Sequence, residues 1–164
     1  MDGAGGVARQ RTPPDPARAR DAALRALGRR EHSAAQLQRK LRQRGFDETV
    51  ADDTVNDLAG RGWQSDARYA EMLVRSRVAQ GYGRLYIEAE LSVAGVPEAE
   101  AAAALDAADC DWTQRAAALL ARKFGSDVAT DPAGRSRRYR YLAGRGFTAE
   151  QIRAAFKGAL PEDD

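Results

Sequence analysis

Three observations predict an all-α fold built as three tandem repeats of about three helices each. A Leu-x-x-x-Gly-apolar ending occurs three times, as LRQRGF at 41–46, LSVAGV at 91–96 and LAGRGF at 142–147, with Leu-to-Leu spacings of 50 and 51. A period of that length marks stacked helical units that bury their apolar faces against their neighbours. A helix start follows each ending, at Asp47, at Pro97, and at Thr148 with Gln151 as a capping box. An apolar anchor lies ten residues past each glycine, at Val55, Leu105 and Phe156. Finally, Ala makes up about a fifth of the chain and 23 of the 26 cations are Arg, both residues that favour helix. No window alternates long enough with a strand's period of two.

Taken in order, residues 1–16 (MDGAGGVARQRTPPDP) mix Gly, Pro and charge without periodicity and read as a disordered tail. The first repeat, 17–62, opens with a helix near 19–28. Ser33 and Gln36 form a capping box for a second helix over 33–44, with Leu37 and Leu41 on one face. Gly45 ends it as a left-handed C-terminal residue, which lets Phe46 fold back on the last turn. Asp47 starts a third helix over 47–59, whose stripe is Val50, Thr54, Val55 and Leu58, and Gly60 and Gly62 close it. The second repeat, 63–110, carries helices near 66–80, 83–94 and 97–108. The first of these is opened by Asp66 and packed through Tyr69, Met72, Leu73 and Val78. The third, 111–164, carries helices near 111–124, 134–145 and 148–158.

The single cysteine, Cys110, and single histidine, His32, remove whole classes of chemistry. No disulfide can form within the chain, which fits a reducing cytoplasm, and a Cys/His zinc site lacks ligands. His32, in RREHSAAQ, reads as a solvated residue just before a helix cap rather than as the base of a catalytic triad. No apolar run approaches the roughly 20 residues of a membrane span, and the N-terminus lacks a signal peptide's apolar core. The nucleotide-binding patterns GxxxxGK[ST] and strand-GxGxxG-helix are absent. The carboxylates sit at helix starts or on an acidic face without converging. A cytoplasmic non-enzyme without cofactor or metal is expected.

The net charge of +2 is a cancellation. Residues 1–44 carry +7, 45–60 carry −5, 61–95 carry +1, 96–114 carry −5, 115–147 carry +6 and 148–164 carry −2. Acids at helix starts suit the helix dipole, but that leaves unexplained why 45–60 and 96–114 hold no Lys or Arg. Basic faces suit phosphates, and acidic faces suit a basic partner. The candidate contacts are Arg39, Lys40, Arg42 and Arg44 on the second helix of the first repeat. On the equivalent helix of the third repeat they are Arg135, Arg137, Arg138, Arg140 and Arg145, with Tyr139 and Tyr141 interleaved. Arg forks hold phosphates and aromatic rings stack on bases, although Tyr at helical spacing also fills cores. The second repeat adds Arg75, Arg77 and Arg84, with Tyr82 in the loop GYGRLY. A Gly-rich loop entering a helix can hold a phosphate, but GxG alone is equally a plain helix connection.

These residues also carry a family resemblance. REHSAAQLQRKLRQRGFD, then GWQSDARYAEMLVRSRVAQGYG, then IEAELSVAGV is similar to the RecX family of bacterial regulators of the RecA recombinase. The matching positions are Ser33, Leu37, Lys40, Leu41 and Gly45, then Gly62, Trp63, Asp66, Tyr69 and Ala70. Arg77, Gly81, Leu91, Gly95 and Val96 follow. The third repeat matches more loosely through Arg138, Tyr139, Leu142, Gly146 and Phe147. The match spans residues 20–158, and Tyr86 departs from it where the family often places a basic residue. The resemblance implies an elongated, curved body of three three-helix repeats. It also implies binding to the RecA filament, inhibition of its ATPase and strand exchange, and contact with single-stranded DNA, while acidic and basic segments within one chain permit a monomer. A free-standing helical DNA-binding module and a helical-repeat adaptor are the alternatives that the residues alone leave open.

Overall fold

In the computed structural model, which describes residues 15–127 and 129–158, nine helices and no strand occur among the described residues. They are α1 (Pro16–Arg29), α2 (Ala34–Gln43), α3 (Glu48–Gly60), α4 (Asp66–Ala79), α5 (Arg84–Val93), α6 (Glu98–Ala107), α7 (Trp112–Phe124), α8 (Pro132–Gly144) and α9 (Ala149–Gly158). Two starts come earlier than expected, for one reason. Asp15 caps α1 by accepting from the Ala17 N–H at 2.9 Å, and Pro16 takes the first helical position. Asp131 and Pro132 do the same for α8, which therefore begins before Gly134. Pro16 is thus helical rather than tail, while residues 1–14 of the expected tail lie outside the described residues.

The repeated Leu-x-x-x-Gly-apolar ending is one hydrogen-bond pattern used three times. Phe46, Val96 and Phe147 donate their N–H to the carbonyls of Leu41, Leu91 and Leu142 at 3.2, 3.0 and 3.2 Å. The glycine between holds a positive φ, as at Gly45 (+94°), which admits glycine without a steric penalty. The same closure recurs where Trp63 donates to the Leu58 carbonyl at 3.0 Å, ending α3.

Each repeat buries its own small core. The first is Ala22, Ala23, Ala26, Leu37, Leu41, Ala51, Val55 and Leu58. The second is built around Tyr69, Leu73, Val74, Ile87, Leu91 and Leu105. The third is built around Ala116, Leu120, Leu142, Phe147, Ile152 and Ala155, with the anchor Phe156 only half-buried at its edge. Every closely packed helix pair lies within one repeat, and Trp112 touches both the second and third cores. The body is a series of three units, as a repeat array requires.

The units meet at two joints. At the first, the Ser33 hydroxyl donates to the Ala94 carbonyl and the Asp66 carboxylate accepts from the Ala34 N–H at 2.8 Å. Gln36 Nε2 reaches the Tyr69 hydroxyl at 3.1 Å, and Gln64 Nε2 donates to the His32 carbonyl at 3.3 Å. Ser65, not Asp66, caps α4, which leaves the Asp66 carboxylate to cross to α2. His32 is buried at this joint, 3% exposed, rather than solvated as expected. Its Nδ1 pairs with the Arg30 carbonyl at 3.0 Å. At the second joint backbone meets backbone. Gly83 N–H donates to the Arg145 carbonyl at 2.8 Å and Leu85 N–H to the Gly146 carbonyl at 3.0 Å.

Candidate nucleic-acid interface

The basic residues divide by what already holds them. Arg39 and Lys40 of α2 and Arg44 at its C-cap have no ion-pair partner among the described residues, with Arg39 and Arg44 exposed. Arg42 reaches Glu48 at 3.5 Å, an exposed pair that gives little hold. Arg39 and Lys40 border a hollow of about 200 Å³ with Arg30, Gln36 and the buried His32. Burial lowers the His32 pKa from its ordinary value and outweighs the Arg30 carbonyl that raises it, so the ring is held neutral there.

In the second repeat the cations are mostly engaged. Arg77 lies between α4 and α5 and grips Glu90 with two nitrogens, Nε at 2.7 Å. That hydrogen-bonded pairing raises its pKa and fixes it as a cation in a structural pair. Arg84 pairs with Glu88 at 2.8 Å and with Asp106 at 3.2 Å, and the Glu88 bond raises its pKa. Arg75 is exposed without an ion-pair partner among the described residues. The GYGRLY loop does not offer its amides to a phosphate, because Gly83 and Leu85 donate theirs to the third repeat. Tyr82 stacks on Tyr86 with ring centroids 4.0 Å apart. Tyr86, the departure from the family pattern, is therefore one half of an aromatic pair.

Four of the five arginines around α8 separate into two stripes, because residues three apart share a helix face. Arg135 donates to the carbonyls of Ala129 and Thr130, and Arg138 to that of Gly134 while lying 4.8 Å over the Phe124 ring. These two tie the α7–α8 loop to its helix. Arg137 and Arg140 form the other stripe, exposed beside Tyr139 and without a polar partner among the described residues. Arg145 does something different. Its Nη1 donates to the Gln80 carbonyl of the second repeat at 3.0 Å, and its guanidinium lies over both Tyr82 (5.0 Å) and Tyr141 (5.5 Å).

Three cations that the sequence reading did not single out join Arg145. Arg115, Arg122 and Lys123 of α7 line a cleft of about 400 Å³ between the second and third repeats, with Tyr82 and Tyr141. The signal was present as the +6 segment at 115–147, but the denser Arg-Tyr run of α8 drew attention from the Arg115/Arg122 pair two turns apart. On the acidic side, Asp53 of α3 and Glu98 and Glu100 of α6 are exposed without ion pairs among the described residues. Asp57 meets Arg61 at 3.0 Å, and Asp106 meets Arg84. Among the described residues no His/Cys/Asp/Glu group could hold a metal ion, and no helix is long and apolar enough to cross a membrane.

Comparison with known proteins covers almost all the described chain. The family models for the first, second and third three-helix domains of RecX match residues 19–58, 65–105 and 109–156. A regulatory protein RecX of Xanthomonas campestris pv. campestris is 43% identical over 140 residues, covering 85% of this chain and 86% of that one. One of Halorhodospira halophila is 42% identical over 145 residues, covering 88% and 89%. The crystal structure of RecX from Lactobacillus salivarius superposes with a TM-score of 0.76 at 22% identity, over 88% of this chain and 96% of that chain.

Proposed function

This chain belongs to the RecX family of regulatory proteins, and from that premise we propose that it binds the filament RecA forms on single-stranded DNA. There it inhibits the recombinase's ATPase and strand exchange, and so restrains recombination and DNA repair. The observation that carries the reading is the serial build: three small cores, two polar joints and helices of opposite charge repeated along one chain. Such an array can touch several protomers of a helical filament at once, which multiplies weak contacts into avidity. Exposed Arg39, Arg44, Arg137 and Arg140 supply phosphate contacts that are independent of base sequence and weaken with salt. The exposed carboxylates of α3 and α6 face a basic protein surface, which suits a partner of alternating charge. One chain carries both signs and acts as a monomer.

The test is the single-stranded-DNA-dependent ATPase of the recombinase, measured with and without this protein. Inhibition at substoichiometric amounts is expected. No change at a large excess overturns the reading. A second reading, a free-standing DNA-binding module, draws on the exposed Arg137/Arg140 stripe of a three-helix unit. It requires sequence-dependent affinity for duplex DNA without recombinase.

A further inference from the structure

We propose that the cleft between the second and third repeats is a phosphodiester site for single-stranded DNA, built by Arg115, Arg122, Lys123 and Arg145. The inference rests on the nucleic-acid side of the function proposed above and assigns it to a place. Four cations border the cleft, no carboxylate lines it, and none of the four is in an ion pair among the described residues. Elsewhere this chain pairs its arginines where acids are near, as at Arg77–Glu90 and Arg84–Glu88. A concave surface left with four unneutralised cations attracts an anion, and a phosphate with its delocalised charge suits guanidinium forks.

The geometry supplies reach and a wall. Arg115 and Arg122 are two helical turns apart on α7, so they space their charges along about 10 Å, on the scale of a backbone segment rather than a lone ion. Tyr141 and Tyr82 form the aromatic side, with Lys123 over the Tyr141 ring at 5.5 Å. Tyr86 stacks on Tyr82 of the cleft wall and is itself 38% exposed, an aromatic surface on which a base can stack. Arg145 spends one of its five N–H donors on the Gln80 carbonyl, so the site exists only while the two repeats hold their present setting. A bound strand therefore bridges the repeats and stiffens the joint.

The experiment is fluorescence anisotropy of a labelled oligothymidylate of about eight nucleotides, a length within the usual footprint of single-strand sites. It is titrated with the full chain at several salt concentrations. Arg122 and Lys123 are exposed, so Arg122→Gln with Lys123→Gln removes no core packing. The expected result is about tenfold weaker binding and a salt slope shallower by about 1.4, two phosphate contacts at ~0.7 each. The control, Arg18→Gln with Arg25→Gln, removes equal charge from exposed positions of α1 in the first repeat and leaves binding close to the parent's. The proposal is overturned if the parent does not bind, if the cleft variant binds like the parent, or if both variants lose equally. The ATPase assay separates the two readings. A cleft variant that loses DNA while the parent leaves the recombinase untouched keeps the site and removes the filament role. A cleft variant that keeps its DNA while the parent inhibits removes the site alone.

Discussion

The two joints do the same mechanical task with different chemistry. The first is stitched by side chains: Ser33, Gln36, Gln64 and Asp66 each cross between repeats, and His32 is buried among them. The second is chiefly a contact of bare backbone, in which Gly83 and Gly146 approach so closely that no side chain fits between, and the one side-chain hydrogen bond across it among the described residues is from Arg145 to the Gln80 carbonyl. A side-chain joint depends on identity and protonation. A backbone joint depends on the absence of a Cβ. The cations at the second joint line a cleft without an ion pair among the described residues, whereas at the first Arg68 is drawn to Glu31 at 3.0 Å.

The strongest way to break this contrast is Gly83→Ala. Its φ of −89° suits any residue, so the effect is steric alone, yet a Cβ there would stand 2.6 Å from the Gly146 carbonyl carbon and oxygen. Overpacking against rigid backbone is expected to cost about 2–3 kcal/mol. Urea denaturation measures the loss, and hydrogen exchange should show the Leu85 amide opening while repeat-one amides keep their protection. A loss below ~0.5 kcal/mol would mean the backbone contact is not tight.

A smaller effect is expected at the first joint from Ser33→Ala. The hydroxyl caps α2 by accepting from the Gln36 N–H at 3.1 Å and donates to the Ala94 carbonyl. Losing both roles should cost about 1–2 kcal/mol in the same denaturation measurement. Because several neighbouring bonds survive, the joint should loosen rather than open, and a Gly83-sized loss would contradict that.

The smallest effect separates the joints by pH. Burial holds the folded His32 pKa below its ordinary value of 6.5, so the unfolded chain binds the proton more readily. The stabilisation is complete above that ordinary value and is lost as pH falls through the folded one. The denaturation midpoint should therefore drop more between pH 7.5 and 5 for the parent than for His32→Asn. Equal drops would show that the ring is not held neutral. The second joint has no histidine, so acid should spare it.

Much of this was legible in the sequence. The capping box at Ser33 and Gln36, the cap at Asp47 and the box at Thr148 and Gln151 all form as read, because a cap depends on residues within one turn. The three glycine-closed endings form for the same reason. What failed was less local. Asp15 and Asp131 act as caps from within Pro-rich and Gly-rich stretches whose composition reads as loop. The polar neighbours of His32 suggest a solvated ring, yet it is buried at a joint where Gln64, 32 residues away, donates to its carbonyl.

Near neighbours and period suffice to read most helix ends, the grouping of helices in threes and the alternation of charge along the chain. Which charges are spent and which are free depends on how distant segments pack. Arg77 and Arg122 look alike in the sequence, but one faces Glu90 across a helix pair and the other faces a cleft without a carboxylate. Ion pairing depends on distances of a few ångströms between segments far apart in the chain, and no local pattern records them.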